Sequence, residues 1–129
     1  MKYLLDTHTL IWFMLNDSKL GHSTRRMLTN SGQGEVAISV IAFVEIEIKL
    51  AVGKLKGAED IQQKVTAQKL PLLPIQAEHA KGLRGLELIH RDPFGRMLIA
   101  QAMSENLTLI TGDSDILKYS GVKLIDARQ

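Results

Sequence analysis

The sequence predicts an α/β domain: a short parallel sheet of about four to five strands, flanked by helices in a three-layer sandwich. Three observations predict it. Short apolar runs recur at residues 3–5, 35–38, 107–111 and 122–125, and buried parallel strands read as such runs rather than as alternation. Between them lie stretches whose apolar residues fall at helical spacing. Acids stand where runs end, as Asp6 after Leu4-Leu5 and Asp113 after residues 107–111. Open α/β sheets bind ligands just beyond the carboxyl ends of their strands.

The elements follow in order. Residues 3–5 form the first strand and run straight into Asp6. Leu10, Ile11, Met14 and Leu15 then mark a helix over 7–15, closed by the loop Asn16-Asp17-Ser18. Gly21-His22-Ser23 opens a second helix, with Ser23 suited to cap it and Met27 and Leu28 facing inward. Ser31-Gly32-Gln33-Gly34 is a turn, and residues 35–38 are a strand ending at Ser39. Residues 40–52 carry two signals. Val44, Ile46, Ile48 and Leu50 alternate with Glu45, Glu47 and Lys49, which is strand periodicity. Against that, Ser39 can cap a helix, Gly53 can end one, and the segment is long for a strand. The helical reading is favoured.

A helix over 59–68 places Ile61 and Val65 on one face. Residues 70–75 contain Pro71 and Pro74, which confines them to an extended edge segment. Residues 76–86 read as a helix with Ala77, Ala80 and Leu83 inward. His90-Arg91-Asp92-Pro93 turns into a helix that ends near Glu105-Asn106, with Pro93 at its first position. Trp12, Phe43 and Phe94 are assigned to the core.

At 129 residues, the chain suits one domain spanning 1–129. The absence of cysteine excludes disulfides and thiolate metal sites. A net charge of +2 permits nucleic-acid binding without demanding it. There is no apolar run of membrane-spanning length and no secretory leader, so no membrane association and a cytoplasmic location are expected.

Four acids stand at strand ends or helix starts: Asp6, Glu45, Asp92 and Asp113. A sheet of this kind would bring them to one edge. Clustered carboxylates suit hard divalent cations such as Mg²⁺ or Mn²⁺. Each also suits a structural role: Asp6 and Asp92 as helix caps, Asp113 and Asp115 as turn residues, Glu45 on a solvated face with Glu47 equally placed. Thr7, Ser39 and Thr111 flank these acids and could support them or serve as caps. His8, His22, His79 and His90 show no ligand pairing and read as surface residues. Lys49, Arg91 and Arg96 could meet a phosphate backbone or simply face solvent.

Leu4-Leu5-Asp6-Thr7-His8, then Ile38-Ser39 with Val44-Glu45-Ile46, resemble PIN domains of the VapC toxin type. So do His90-Arg91-Asp92-Pro93-Phe94-Gly95-Arg96 and the following helix, and Leu107 to Asp113. The resemblance runs from residue 2 to about residue 125. It implies a PIN-like sandwich and a Mg²⁺- or Mn²⁺-dependent endoribonuclease that leaves 3′-hydroxyl and 5′-phosphate ends. It also implies a homodimer and a small VapB-type antitoxin. Carried over residue by residue, the first acid is Asp6, the second Glu45 and the last Asp113; Asp92 is added as a catalytic candidate that could partly substitute for a missing acid, so the expected metal ligands are Asp6, Asp92 and Asp113. By their position beside these acids, Thr7, Ser39, Thr111 and Asp115 are the candidate supporting residues, and Arg91 and Arg96 the candidate RNA contacts.

One position departs. The family usually reads Asp-Pro-Phe-Asp-Arg, whereas this chain has Gly95 in place of the second acid. Glycine cannot supply a ligand, and near a helix start it costs up to about 1 kcal/mol relative to alanine. The sequence shows no compensation. Weakened metal binding and reduced cleavage are therefore expected; the alternative is an impaired PIN module that binds antitoxin or RNA without cutting. A phosphotransfer domain using Asp6 as nucleophile fits less well, because His8 stands where a haloacid-dehalogenase-like site needs its second Asp. A receiver domain would place its phosphorylated Asp after the third strand.

Overall fold

The computed structural model describes residues 1–129. Five strands form one parallel sheet: β1 (Tyr3–Leu5), β2 (Val36–Ser39), β3 (Leu72–Leu73), β4 (Thr108–Thr111) and β5 (Lys123–Asp126). Their order is β3-β2-β1-β4-β5. The chain thus builds outward from β1 through β2 to β3, then returns to the other side of β1 for β4 and β5. That reversal puts a topological switch point between β1 and β4, where such sheets open a crevice at their carboxyl edge. The register aligns Leu5 of β1 with Ile38 of β2 and Ile110 of β4. Asp6 follows the aligned residue in β1, and Asp113 lies three residues beyond it in β4.

Leu4, Leu5, Ile38, Leu109 and Ile110 are fully buried, which explains their unbroken apolar runs. Leu5, Ile38 and Ile110 pack on one face against Leu10, Leu28, Ile46, Ile61 and Val65. Leu4, Ala37 and Leu109 pack on the other against Leu98, Ile99 and Ala102. These contacts come from helices α1 (Thr7–Met14), α2 (His22–Thr29), α3 (Val40–Ala51), α4 (Ile61–Ala67) and α6 (Pro93–Ser104).

Residues 40–51 are helical. Ser39 caps α3 by accepting from the Ile41 amide at 3.1 Å, and Gly53 adopts φ 74° beyond its end. Ala42, Glu45 and Ile46 are the buried residues of α3, so its inner stripe has helical spacing despite the alternation in the sequence. Gly21, not Ser23, occupies the N-cap of α2. The proline-bounded segment is the two-residue edge strand β3.

Helix α5 (Ala77–Gly82) is shorter than expected and continues as a 3₁₀ turn over Leu83–Gly85. Ala77 and Ala80 are exposed, contrary to expectation, and His79 is the buried residue. His79 Nδ1 accepts from the Gln76 amide at 3.1 Å, and its Nε2 lies 2.9 Å from Glu105 Oε2. With its ring nitrogens engaged, this histidine is buried without orphaned polar groups, which two alanines offer too little area to outweigh. No helix is long and apolar enough to cross a membrane.

Candidate metal centre

Just beyond the switch point lies a cavity of about 190 Å³ lined by Asp6, Glu45, Asp92 and Asp113, together with Thr7, His8, Lys49, His90 and Gly95. The fold therefore brings the four candidate acids to one place. Each arrives by a different route.

Asp6 is the N-cap of α1, and its Oδ1 accepts from the Thr9 amide at 2.9 Å. Its other oxygen accepts from the Thr111 hydroxyl at 2.5 Å. Burial pushes the Asp6 carboxyl above the usual carboxylate range, against the hydrogen bonds of Thr111 and Thr9, which pull it down. A bound cation would favour the charged form directly. Thr111 links two of the acids, because its Oγ1 also accepts from the Asp113 amide at 3.0 Å.

Asp113 uses Oδ1 to accept from the amides of Asp115 and Ile116 at 2.8 and 3.2 Å. Its Oδ2 remains directed to His90, 3.2 Å from Nε2. Gly112 permits this turn, since a Cβ there would lie 2.8 Å from the Trp12 ring. Asp92 caps α6 by accepting from the Phe94 amide at 3.1 Å through Oδ1. Capping and cavity lining are thus compatible in Asp92, as in Asp6.

Glu45 is only 4% exposed. Its Oε1 accepts from the Thr7 hydroxyl at 2.5 Å and its Oε2 from Lys49 Nζ at 2.6 Å. Glu47, its rival on spacing, is exposed on the far side of α3. Ser39 does not line the cavity; it holds α3 in place and donates to Gln101 Oε1 at 2.5 Å. Asp115 stands behind the cavity, with Oδ2 3.8 Å from His90 Nδ1 and Oδ1 paired with Lys118.

The two arginines differ. Arg91 is exposed. Arg96 donates to the carbonyls of Glu87, His90 and Leu83 at 2.8, 3.3 and 3.3 Å, so its guanidinium fastens the loop leading to Asp92.

His90 was not expected at the site. Its side chain is 15% exposed, and its ring fills the space beside Gly95. A Cβ on Gly95 would lie 2.8 Å from His90 Cδ2. The missing side chain is therefore compensated in packing, contrary to the sequence reading. The only signal for it was a histidine five residues before an anomalous glycine.

The donor set suits a hard divalent cation: carboxylates from three separate strand or helix junctions, one desolvated by burial, facing one small cavity. The chemistry of these donors fits such an ion, and Asp6, Asp92 and Asp113 are the carboxylates that would hold it.

A sequence model of the PIN domain matches residues 3–122. No curated protein matches the chain. Among solved structures, the chain is similar to one in DNA-bound VapBC from Salmonella typhimurium, at 24% identity and TM-score 0.70 over 98% of each chain. It is similar to one in VapBC2 from Rickettsia felis bound to a promoter DNA fragment, at 19% identity and TM-score 0.69 over 98% of each. It is also similar to one in FitAcB from Neisseria gonorrhoeae, at 19% identity and TM-score 0.65 over 97% of each. These likenesses concern the fold alone. With its family match running from the first strand almost to the last, the chain belongs to the PIN domain family.

Proposed function

We propose that residues 1–129 act as one PIN domain, a metal-dependent endoribonuclease toxin of the VapC type. The observation that carries this reading is the convergence of Asp6, Glu45, Asp92 and Asp113 on one cavity at the switch point. The solved neighbours include VapBC assemblies and a toxin–antitoxin complex from Klebsiella pneumoniae, which supports a VapB-type antitoxin as partner. A homodimer, a cytoplasmic location and Mg²⁺ or Mn²⁺ as cofactor complete the reading.

The reaction is hydrolysis of an RNA phosphodiester. Water oxygen bonds to phosphorus, the bond from phosphorus to the 3′ oxygen breaks, and that oxygen leaves with a proton. A divalent cation, when bound, lowers the pKa of water and offsets charge on the phosphate. The chain's own residues orient and fix. Thr111 ties Asp6 to the backbone of Asp113, so the two acids share one geometry. Thr7 and Lys49 hold the Glu45 carboxylate at the cavity wall. Arg91, exposed in a separate surface pocket that shares His90 with the cavity, would meet the RNA backbone.

Gly95 favours a second reading, an impaired module that holds antitoxin or RNA without cutting. RNA cleavage with Mg²⁺ or Mn²⁺, comparing the native chain, Asp6→Ala and Gly95→Asp, separates the two. Cleavage by the native chain that vanishes in Asp6→Ala supports the nuclease. Cleavage appearing only in Gly95→Asp supports the impaired module. Cleavage unchanged by Asp6→Ala does not come from this site and contradicts the nuclease reading.

A further inference from the structure

Position 95 and the His90 ring compete for one space. A Cβ on Gly95 would stand 2.8 Å from His90 Cδ2, 3.0 Å from Nε2 and 3.4 Å from the tip of Ile116. The imidazole therefore lies where a side chain at 95 would begin, turned to the same cavity.

Its Nε2 is buried and makes no hydrogen bond. Asp113 Oδ2 lies 3.2 Å away without hydrogen-bond alignment, and Asp92 Oδ2, at 3.9 Å, is beyond hydrogen-bond distance. A buried nitrogen without a partner costs roughly 1–3 kcal/mol, so something must hold the ring there. The loop does so. The His90 amide donates to Tyr119 Oη at 2.9 Å, and its carbonyl accepts from Arg96 at 3.3 Å. The adjacent carbonyls of Glu87 and Leu83 are fastened by the same guanidinium. A ligand atom of His90 lies within 4.8 Å of one of Asp113 and one of Asp115, and on the cavity side it is Nε2 that faces the Asp113 carboxylate.

We infer that His90 Nε2 is a nitrogen ligand to the divalent cation, standing in for the oxygen that Gly95 cannot supply. The inference rests on the metal-site reading above and extends it. A nitrogen in place of an oxygen shifts the metal preference of the site. Imidazole suits Co²⁺ and Ni²⁺ better than Mg²⁺, which prefers oxygen and gives up water reluctantly. The site of this chain is thus retuned rather than emptied by Gly95. Restoring an acid there pushes the ring aside, so Gly95→Asp and the His90 ligand exclude each other.

The test is pulsed electron paramagnetic resonance of Mn²⁺ bound to the tag-free chain, with and without ¹⁵N-histidine labelling. The native chain is expected to show a nitrogen coupling that changes to the ¹⁵N frequency on labelling. That coupling persists in His8→Gln, whose histidine also lines the cavity, and is lost in His90→Gln and in Gly95→Asp. In parallel calorimetry, the ratio of Co²⁺ to Mg²⁺ affinity falls by about tenfold or more in Gly95→Asp. Should His90→Gln fail to fold, Gly95→Asp carries the test: coupling retained there overturns the inference. Mn²⁺ binding that depends on Asp6 but shows no histidine coupling overturns the His90 ligand and leaves the metal site standing. Absence of any Asp6-dependent Mn²⁺ binding overturns both.

Discussion

The two walls of the cavity are built on different terms. One wall comes from the ends of β1 and β4 and from α3. There Asp6, Glu45 and Asp113 each accept from at least two donors, and the donors Thr7, Thr111 and Lys49 belong to the same elements or to neighbours packed against them. The other wall comes from the loop before α6 and its first turn. It carries Asp92, Gly95 and His90, and its central feature is a buried nitrogen that makes no hydrogen bond although Asp113 Oδ2 lies 3.2 Å away. The first wall fixes carboxylates by satisfying them. The second fixes an unsatisfied group by fastening the loop behind it. The difference teaches that the space beside Gly95 is filled by a ring carried on a loop, while the carboxylates at the strand ends are held by paired donors.

The sharpest way to break this comparison is to remove the donor that unites the rigid wall. Thr111→Val keeps shape but deletes both the bond to Asp6 and the acceptor for the Asp113 amide. Metal affinity is expected to fall about tenfold to hundredfold, read by Mn²⁺ titration. An unchanged affinity would mean that Asp6 is positioned by its cap alone. On the other wall, Arg96→Ala releases three loop carbonyls and is expected to cost roughly 1–2 kcal/mol in thermal unfolding. Loss of RNA binding with no loss of stability would make Arg96 a substrate contact instead.

A smaller effect tests the burial of Asp6. Its carboxyl is raised by desolvation, so its folded pKa lies above the unfolded value. Such a group stabilises the fold fully only below the unfolded pKa, and that contribution is lost as pH rises through the folded pKa. In metal-free protein, Asp6→Asn is therefore expected to be more stable at neutral pH by about 0.5–1 kcal/mol, with the gap closing towards acid. Unfolding in the presence of chelator across that range checks it; a less stable Asn variant at neutral pH would contradict it. Smallest of all, Arg91→Ala should change stability by less than about 0.5 kcal/mol, since the side chain is exposed, while weakening RNA binding in a salt-dependent way.

What could be read from the sequence divides along the same line. Asp6 and Asp113 were legible because a short apolar run fixes where a parallel strand ends, and the acid follows it. Asp92 was legible through Pro93, which marks a helix start whatever packs against it. Glu45 needed the helical reading of α3, since Val44 and Ile48 mimic a strand and are in fact exposed on the helix surface. His90 was not legible. Its role depends on the volume that Gly95 leaves empty, and volume between distant elements is not written in local spacing. His79 was hidden for the same reason, because its partners Gln101 and Glu105 lie on another helix.

The most direct test of the account is anomalous scattering from crystals of the native chain grown with Mn²⁺. A peak is expected in the cavity between Asp6 and Asp113, within coordination distance of both carboxylates. A well-ordered crystal with no peak there, or with Mn²⁺ only at surface acids away from the switch point, would contradict it.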